Sequence, residues 1–425
     1  MTEEKETIAD SENSDKFLDS EKSEIISDLH IHSRFSRACS KNLSIENLEK
    51  YALIKGINLL GTGDFTHASW FKELDALEER DGLLFTKTGF PFLWQTEISL
   101  MYSKGGKGRR IHYVMLAPNK EIVKQITSWL GSKGRLDYDG RPIFGFSSIE
   151  LVDAMQSISK DIEIIPAHIW TPWFGIFGSQ TGFDSLKECF EDKTDKIHAI
   201  ETGMSSDPEM NWRIKELNDK SIISSSDSHS FWPWRLGRES TIFTGKLSYE
   251  NILKQIRENS FKATIETDPG YGKYHYDGHR NCGFSCSPKE AEKLKGICPK
   301  CGKPLIIGVE NRVEKLADNP LGFKPKNAKP FYKLLPLQEL IALSKASTLA
   351  SKKTWLVYNQ LIEKFQNEFN ILLHVDKLEL AKALPGDEQL VQLIIDNRIA
   401  NIRVQPGFDG QYGLPLLKEK QEKLL

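Results

Sequence analysis

Ser27-Asp28-Leu29-His30-Ile31-His32-Ser33, led in by Ile25 and Ile26, is the stretch on which the reading of the fold turns. Apolar residues running into polar ones describe a buried strand that emerges at an open end. Side chains alternate along a strand, so Asp28, His30 and His32 share a face. Two imidazoles on one face, two residues apart, can grip a single metal ion. Alone, His-x-His is equally two half-exposed histidines on an edge strand, and the rest of the chain has to decide.

From this strand to about residue 245, short apolar runs alternate with amphipathic stretches. Strands are predicted at residues 25–30, 57–62, 92–98, 111–116, 162–167, 197–201 and 221–226. Helical patterns fall between them at 44–55, 70–79, 121–130, 149–160, 185–191 and 211–219. Strand–helix alternation points to an α/β fold with a parallel sheet, and seven units point to a barrel. The polar residues fall at strand ends. His30 and His32 end the first strand, Asp64 follows the second, and Glu97 ends the third. His112 lies on the fourth, His168 follows the fifth, Glu201 ends the sixth, and Asp227 and His229 follow the seventh. Barrel enzymes gather their chemistry at the C-terminal rim, and a whole series falling there is not expected by chance.

These motifs resemble a known superfamily. Asp28-Leu29-His30-Ile31-His32-Ser33, Pro166-Ala167-His168 and Ser226-Asp227-Ser228-His229 are similar to the metal-binding motifs of the polymerase and histidinol phosphatase (PHP) superfamily. The resemblance implies a distorted seven-stranded (β/α) barrel with two or three divalent metals (Zn, Mn or Mg). It implies that His30, His32, Glu97 and Asp227 hold one metal, that Glu97 bridges to a second held by His112 and His168, and that His229 serves a third. The superfamily's second motif usually reads Thr-Asp-His. Here it reads Thr62-Gly63-Asp64, which puts Asp64 in the place of a histidine ligand, with His67 three residues on. Catalysis is assigned to Asp227, His30, His32, Glu97 and His168. Asp28 and Glu201 are expected behind the metal ligands, with Asp28 orienting an imidazole.

Longer strings resemble the endonuclease Q family over nearly the whole chain. They are residues 166–174 (PAHIWTPWF), 201–208 (ETGMSSDP), 236–239 (LGRE) and 274–282 (YHYDGHRNC). Resemblance to that family implies hydrolysis of the phosphodiester 5′ to deaminated bases (uracil, hypoxanthine, xanthine) and to abasic sites.

After about residue 265 the texture changes. Cys282-x3-Cys286 and, eleven residues on, Cys298-x2-Cys301 supply four thiolates on two turns, the pattern of a closed structural zinc site. His275 and His279 lie just upstream as alternative ligands. Residues 271–365 hold seventeen Lys or Arg against eight Asp or Glu, which suits a polyanion such as single- or double-stranded DNA. Candidate DNA contacts are Lys107, Arg109 and Arg110 in a Gly-rich loop, Arg213, Arg238, His279 and Arg280. Trp173 and Phe174 stand beside His168 as rings on which a base can stack. Helices are predicted at about 336–347, 352–368, 376–384 and 388–399.

The expected organisation is an acidic disordered tail (1–24, net charge −6), a catalytic barrel (25–265), a zinc module with a basic linker (266–335) and a helical C-terminal domain (336–425). With no apolar run of membrane-spanning length and no signal core, a soluble cytoplasmic protein is expected. The competing reading is a phosphomonoesterase acting on a small phosphorylated metabolite. It explains the metal ligands equally well, but gives no reason for the cysteine module, the basic block or the helical extension.

Overall fold

The structure is a computed structural model that describes residues 24–417. The acidic stretch 1–23 lies outside them. The architecture is mixed α/β. The first strand, Glu24–Asp28, lies inside an eight-stranded sheet. It runs parallel to Leu59–Gly61 and antiparallel to Ser240–Thr244, with Asp28 opposite Leu60 and Ile26 opposite Ile242. Leu59–Gly61 is in turn parallel to Pro91–Leu93. A four-stranded sheet holds Gln95–Lys104, Lys107–Leu116, Glu163–Pro166 and the short Ile143–Phe144, and a further pair joins Ala199–Glu201 to Ser221–Ile223. Backbone bonds beyond the strand ends link the four-stranded sheet to this pair and the pair to the eight-stranded sheet: Ile169 N donates to Glu201 O, and His32 N to Ser228 O at 3.0 Å.

Every predicted strand region contains a strand, but strict parallel alternation breaks at Lys107–Leu116, which runs antiparallel to both Gln95–Lys104 and Glu163–Pro166. Gln95–Lys104 and Lys107–Leu116 form a long antiparallel hairpin with no helix between them. Gly105 and Gly106 make this possible, since both have positive φ (61° and 73°), the backbone that the tight turn of a hairpin demands. His112 is therefore a mid-strand residue on a strand running opposite to its neighbours. It does not sit at a C-terminal end.

The strands bury one interior face, built from Ile25, Leu59, Leu93, Val114, Ile165 and Ile223 among others, and helices cover the outside. Ile45–Lys55 shows why these helices begin and end where they do. Ser44 caps its N-terminus by accepting from Asn47 N, and Gly56, at φ 97°, ends it.

Residues 277–305 form a small module around the hairpin Asp277–His279/Phe284–Cys286 and the helix Pro288–Lys293. The strand Phe331–Lys333 then returns to the main sheet beside Ala263–Glu266. Five helices follow: Leu337–Lys345, Lys352–Phe365, Glu368–Leu373, Lys377–Ala383 and Glu388–Arg398. The helix at 368–373 was not foreseen, because it follows its predecessor after only two residues and the sequence pattern merges them. No helix among the described residues is long and apolar enough to cross a membrane.

Two contacts dock this helical bundle on the α/β body. Trp232 and Trp234, which follow His229, stack on each other at 5.3 Å and meet Trp355 edge-on. Beneath them Lys55 pairs with Glu368 at 2.6 Å, with both side chains buried. The pair is fully satisfied: Lys55 also donates to Pro233 O, and Glu368 accepts from Leu337 N and the Tyr358 hydroxyl. Removing one partner strands a buried charge. Glu368→Ala should therefore cost about 3–5 kcal/mol in urea denaturation, whereas breaking a solvent-screened surface pair such as Lys382–Glu379 should leave the denaturation midpoint nearly unchanged.

A second buried pair is acidic. Glu239 and Glu266 are both solvent-inaccessible and share the hydroxyl of Ser224. Burial pushes the Glu266 carboxyl up to about 8, against bonds from Thr264, Thr202 and Ser224 that lower it. A raised carboxyl stabilises the fold in its protonated form. That contribution is complete below about pH 4.5 and is lost as pH rises to about 8. Glu266→Gln should flatten the fall of unfolding free energy with pH over this window, measured by denaturation at several pH values.

Candidate metal centre and its cleft

Two clusters of metal-ligating side chains meet at one carboxylate. His30, His32, Glu97 and Asp227 form the first, and Glu97, His112 and His168 the second, with the ligand atoms in each within 4.8 Å of one another. The hairpin explains the second cluster. Glu97 lies opposite Val114, and His112, two residues earlier on the same face, is its diagonal neighbour. The two oxygens of Glu97 divide the work. Oε2 lies 3.1 Å from His32 Nε2 and 3.6 Å from His30 Nε2, while Oε1 lies 2.7 Å from His112 Nδ1 and 3.3 Å from His168 Nε2. Asp227 Oδ1 closes the first cluster at 3.1 Å from His32 Nε2.

Buried carboxylates hold the imidazoles from behind. Glu201 accepts from His30 Nδ1 at 3.0 Å and from His168 N at 2.9 Å, so one side chain aims ligands of both clusters. Asp64 was expected as a ligand, and the structure corrects this. Its Oδ1 bonds His32 Nδ1 at 2.9 Å, and its Oδ2 takes Ser33 N, Ser33 Oγ and Ser36 Oγ. Both oxygens are thus committed, and Asp64 orients His32. Asp28 is corrected too: it grips Ser226 N, Ser226 Oγ and Gly237 N, and fixes the loop that carries Asp227 where an imidazole partner was expected. His229 joins neither cluster: its Nδ1 bonds Asp227 O at 3.0 Å and its ring lies 4.5 Å from that of His32. His67 stacks on Phe35. Asp64, His168 and Asp227 all have positive φ (43°, 31° and 48°), strain of the kind that concentrates at functional sites.

The electrostatics favour cations. Burial alone would raise the Glu97 carboxyl, but His112, Arg141 and His30 hold it well below the usual carboxylate range. Burial is likewise outweighed at Asp227 by His30, His32 and His229. The residues fit divalent metals. His30 Nε2 is buried and without a hydrogen-bond partner, as befits a nitrogen reserved for a ligand bond, and a mixed imidazole–carboxylate set suits Zn, Mn or Fe.

The clusters open into a cleft of about 380 Å³, in the range of ligand sites. Trp173, Phe174, Tyr274 and Tyr412 supply its aromatic walls, and Arg141, Arg238 and Lys273 its cations. Trp173 meets Tyr274 at 5.6 Å, and Phe174 lies 4.5 Å from His112. Sequence reasoning missed Arg141 and Tyr412. Tyr412 arrives on the Gly-rich turn 406–413, where Gly407 and Gly413 touch backbone atoms too closely to admit a Cβ. Its ring carries Lys273 Nζ at 4.6 Å.

The basic residues expected on DNA separate into two groups. Lys107 is exposed near the hairpin tip, roughly 25 Å along the strand from Glu97, while Arg110 is exposed lower on the hairpin with its guanidinium 5.9 Å from the Phe174 ring that walls the cleft. Arg109 is buried, bonds Gly182 O, pairs with Glu188 at 3.2 Å and covers Phe183. Arg213 is buried and pairs with Glu314 at 2.9 Å. Both guanidiniums are engaged inside the protein. Arg238 lines the cleft, Arg280 is exposed, and His279 belongs elsewhere.

His279 stands with Cys282, Cys298 and Cys301 in a four-ligand group, its Nδ1 3.2 Å from Cys301 Sγ. Cys286 is outside it. Cys286 pairs with Asp277, two residues back from the His279–Phe284 end of the hairpin, and is buried with Ala291 and Leu305. The signal for His279 was present in the sequence: His279-x2-Cys282 repeats the spacing of Cys298-x2-Cys301. Cys286→Ser should keep one equivalent of bound zinc by elemental analysis, while His279→Ala or Cys298→Ala should lose it.

A buried shell of imidazoles and carboxylates, held from behind by further carboxylates and facing a cationic cleft, defines a metal-dependent hydrolase of phosphate esters. Comparison with solved structures agrees. The lesion-specific endonuclease Q of Pyrococcus furiosus superposes with a TM-score of 0.84 at 30% identity, over 94% of this chain and 97% of that one. An endonuclease Q bound to a 27-mer duplex with an abasic lesion at its active site matches with the same TM-score and identity. The chain belongs to the endonuclease Q family. Residues 336–399 match the MJ0043 C-terminal domain family. The uncharacterized protein MJ0043 of Methanocaldococcus jannaschii is 35% identical over 250 residues, and that match spans 57% of this chain and 31% of MJ0043.

Proposed function

We propose that this protein is a metal-dependent DNA repair endonuclease that hydrolyses the phosphodiester 5′ to deaminated bases (uracil, hypoxanthine, xanthine) and to abasic sites. The observation that carries the reading is the sharing of Glu97 by two ligand clusters at the floor of an aromatic, cationic cleft. The relative with an abasic duplex at its active site supports DNA as the substrate. In this reading the strands around the site are the distorted seven-stranded PHP barrel, residues 266–335 are the zinc module and linker, and 336–425 the helical domain.

His30, His32, Glu97 and Asp227 would hold one divalent metal, and Glu97, His112 and His168 another. Bound there, such ions supply Lewis acidity and water activated at neutral pH. The chain does the rest. Glu201 and Asp64 fix the imidazoles in place, and Asp28 pins the loop of Asp227. A damaged nucleotide leaves the stack at a cost of a few kcal/mol, least at abasic and mismatched positions. Trp173, Tyr274 and Tyr412 offer it aromatic faces inside the cleft, and Arg238 and Lys273 offer its phosphates positive charge. His279, Cys282, Cys298 and Cys301 would hold a structural zinc that stiffens the module behind Tyr274.

The test is cleavage of end-labelled duplexes that carry one uracil, hypoxanthine or abasic site, with Mn, Mg, Zn or chelator. One product ending just 5′ of the lesion, absent with chelator, is expected. Asp227→Ala should bind the lesion duplex and leave it uncut. Turnover of small phosphate monoesters without any lesion cleavage would favour the phosphomonoesterase instead.

A further inference from the structure

The turn Asp139-Gly140-Arg141 brings a guanidinium to the metal ligands. Arg141 Nη1 lies 3.0 Å from Glu97 Oε2, the oxygen that faces His30 and His32. Arg141 also lines the cleft beside His112, His168 and Asp227, and 23% of its side chain remains exposed there.

The turn is built to hold this position. Asp139 is buried and accepts from both Arg37 N and Arg141 N at 3.2 Å. Gly140 N donates to Phe35 O at 3.0 Å. A Cβ on Gly140 would collide with the Asp64 carboxylate and the Ser36 hydroxyl, so only glycine lets the backbone lie this close. The turn is therefore fastened to the loop that follows His32 and to the carboxylate that orients His32. Such anchoring fixes Arg141 relative to the ligands before any substrate arrives.

Among the described residues the guanidinium makes one hydrogen bond, to Glu97. Arginine carries five N–H donors in a planar fork that matches phosphate oxygens. Hydrolysis of a phosphodiester builds charge on the non-bridging oxygens, and a prepositioned cation in a partly dry cleft stabilises that charge. We propose that Arg141 is a catalytic residue that binds a non-bridging oxygen of the scissile phosphate through the part of its fork not used on Glu97. The inference rests on the nuclease reading above and gives its site a phosphate-binding group. The competing role is purely local, in which Arg141 only offsets the charge of Glu97.

Arg141→Gln and Arg141→Lys separate the two. Each is compared with the unaltered protein for metal stoichiometry, for binding of lesion duplex in chelator, and for turnover at saturating metal. Turnover is measured on duplexes with an Rp or Sp phosphorothioate at the cleaved linkage and on bis(p-nitrophenyl) phosphate. Arg141→Gln should load the same metal equivalents and turn over about 10²–10³-fold more slowly, the size of losing one oriented donor at a developing oxyanion. Arg141→Lys should recover only part of this. The unaltered protein should be slowed by sulfur in one diastereomer, and Arg141→Gln should lose that selectivity. Full turnover in Arg141→Gln, a defect repaired by added metal, or an unchanged preference between diastereomers would overturn the proposal. Hydrolysis of bis(p-nitrophenyl) phosphate by the unaltered protein without lesion cleavage would sink the lesion reading while still testing Arg141. Hydrolysis of neither substrate would sink both.

Discussion

Glu97 has two oxygens, and each faces a different group of imidazoles. Oε2 belongs with His30, His32 and Asp227, and Oε1 with His112 and His168. Burying a carboxylate is expensive unless it is paired. Here the surrounding imidazoles and Arg141 offset that cost, and together they hold Glu97 ionised. No other side chain belongs to both clusters. Its position depends on the hairpin register, Glu97 opposite Val114, and a slip of one residue would turn His112 or Glu97 away from the site. The antiparallel hairpin is thus the structural condition for the second cluster.

Around this centre, carboxylates act at one remove. Glu201 reaches one imidazole and the backbone of another, Asp64 orients His32 while collecting two serines, and Asp28 ties the strand bearing His30 to the loop bearing Asp227. Outer partners of this kind fix ring orientation and ligand basicity. The same loops are strained at Asp64, His168 and Asp227, which is tolerable because each is held by several bonds. The helical bundle contributes from further away. Its buried Lys55–Glu368 pair and the Trp232–Trp234–Trp355 cluster seat it against the loop after His229.

Much of the centre was legible in the sequence because its ligands lie on strands or just beyond their ends. Alternation put His30 and His32 on one face, and the resemblance to the PHP motifs supplied Glu97, His112 and His168 as their companions. Asp64 could not be assigned correctly, because its role follows from which atoms surround its carboxylate, and Ser33 and Ser36 have no pattern that announces them. Cys286 misled for a similar reason. Cysteine identity outweighed spacing, although the two x2 pairs, His279/Cys282 and Cys298/Cys301, are the matched ones. Arg141 and Tyr412 lie on loops, which carry no periodicity, and only packing brings them to the cleft. The basic residues divided by burial: Arg109 and Arg213 are spent on Glu188 and Glu314, and composition alone cannot tell them from Lys107 or Arg238.

The central claim is that one carboxylate organises two ion sites. The most direct measurement is electron paramagnetic resonance of the protein loaded with two equivalents of Mn²⁺. A spectrum of an exchange-coupled pair is expected, and Glu97→Gln should replace it with the signal of isolated ions. Two independent Mn²⁺ signals in the unaltered protein, or a coupled pair that survives Glu97→Gln, would contradict the account.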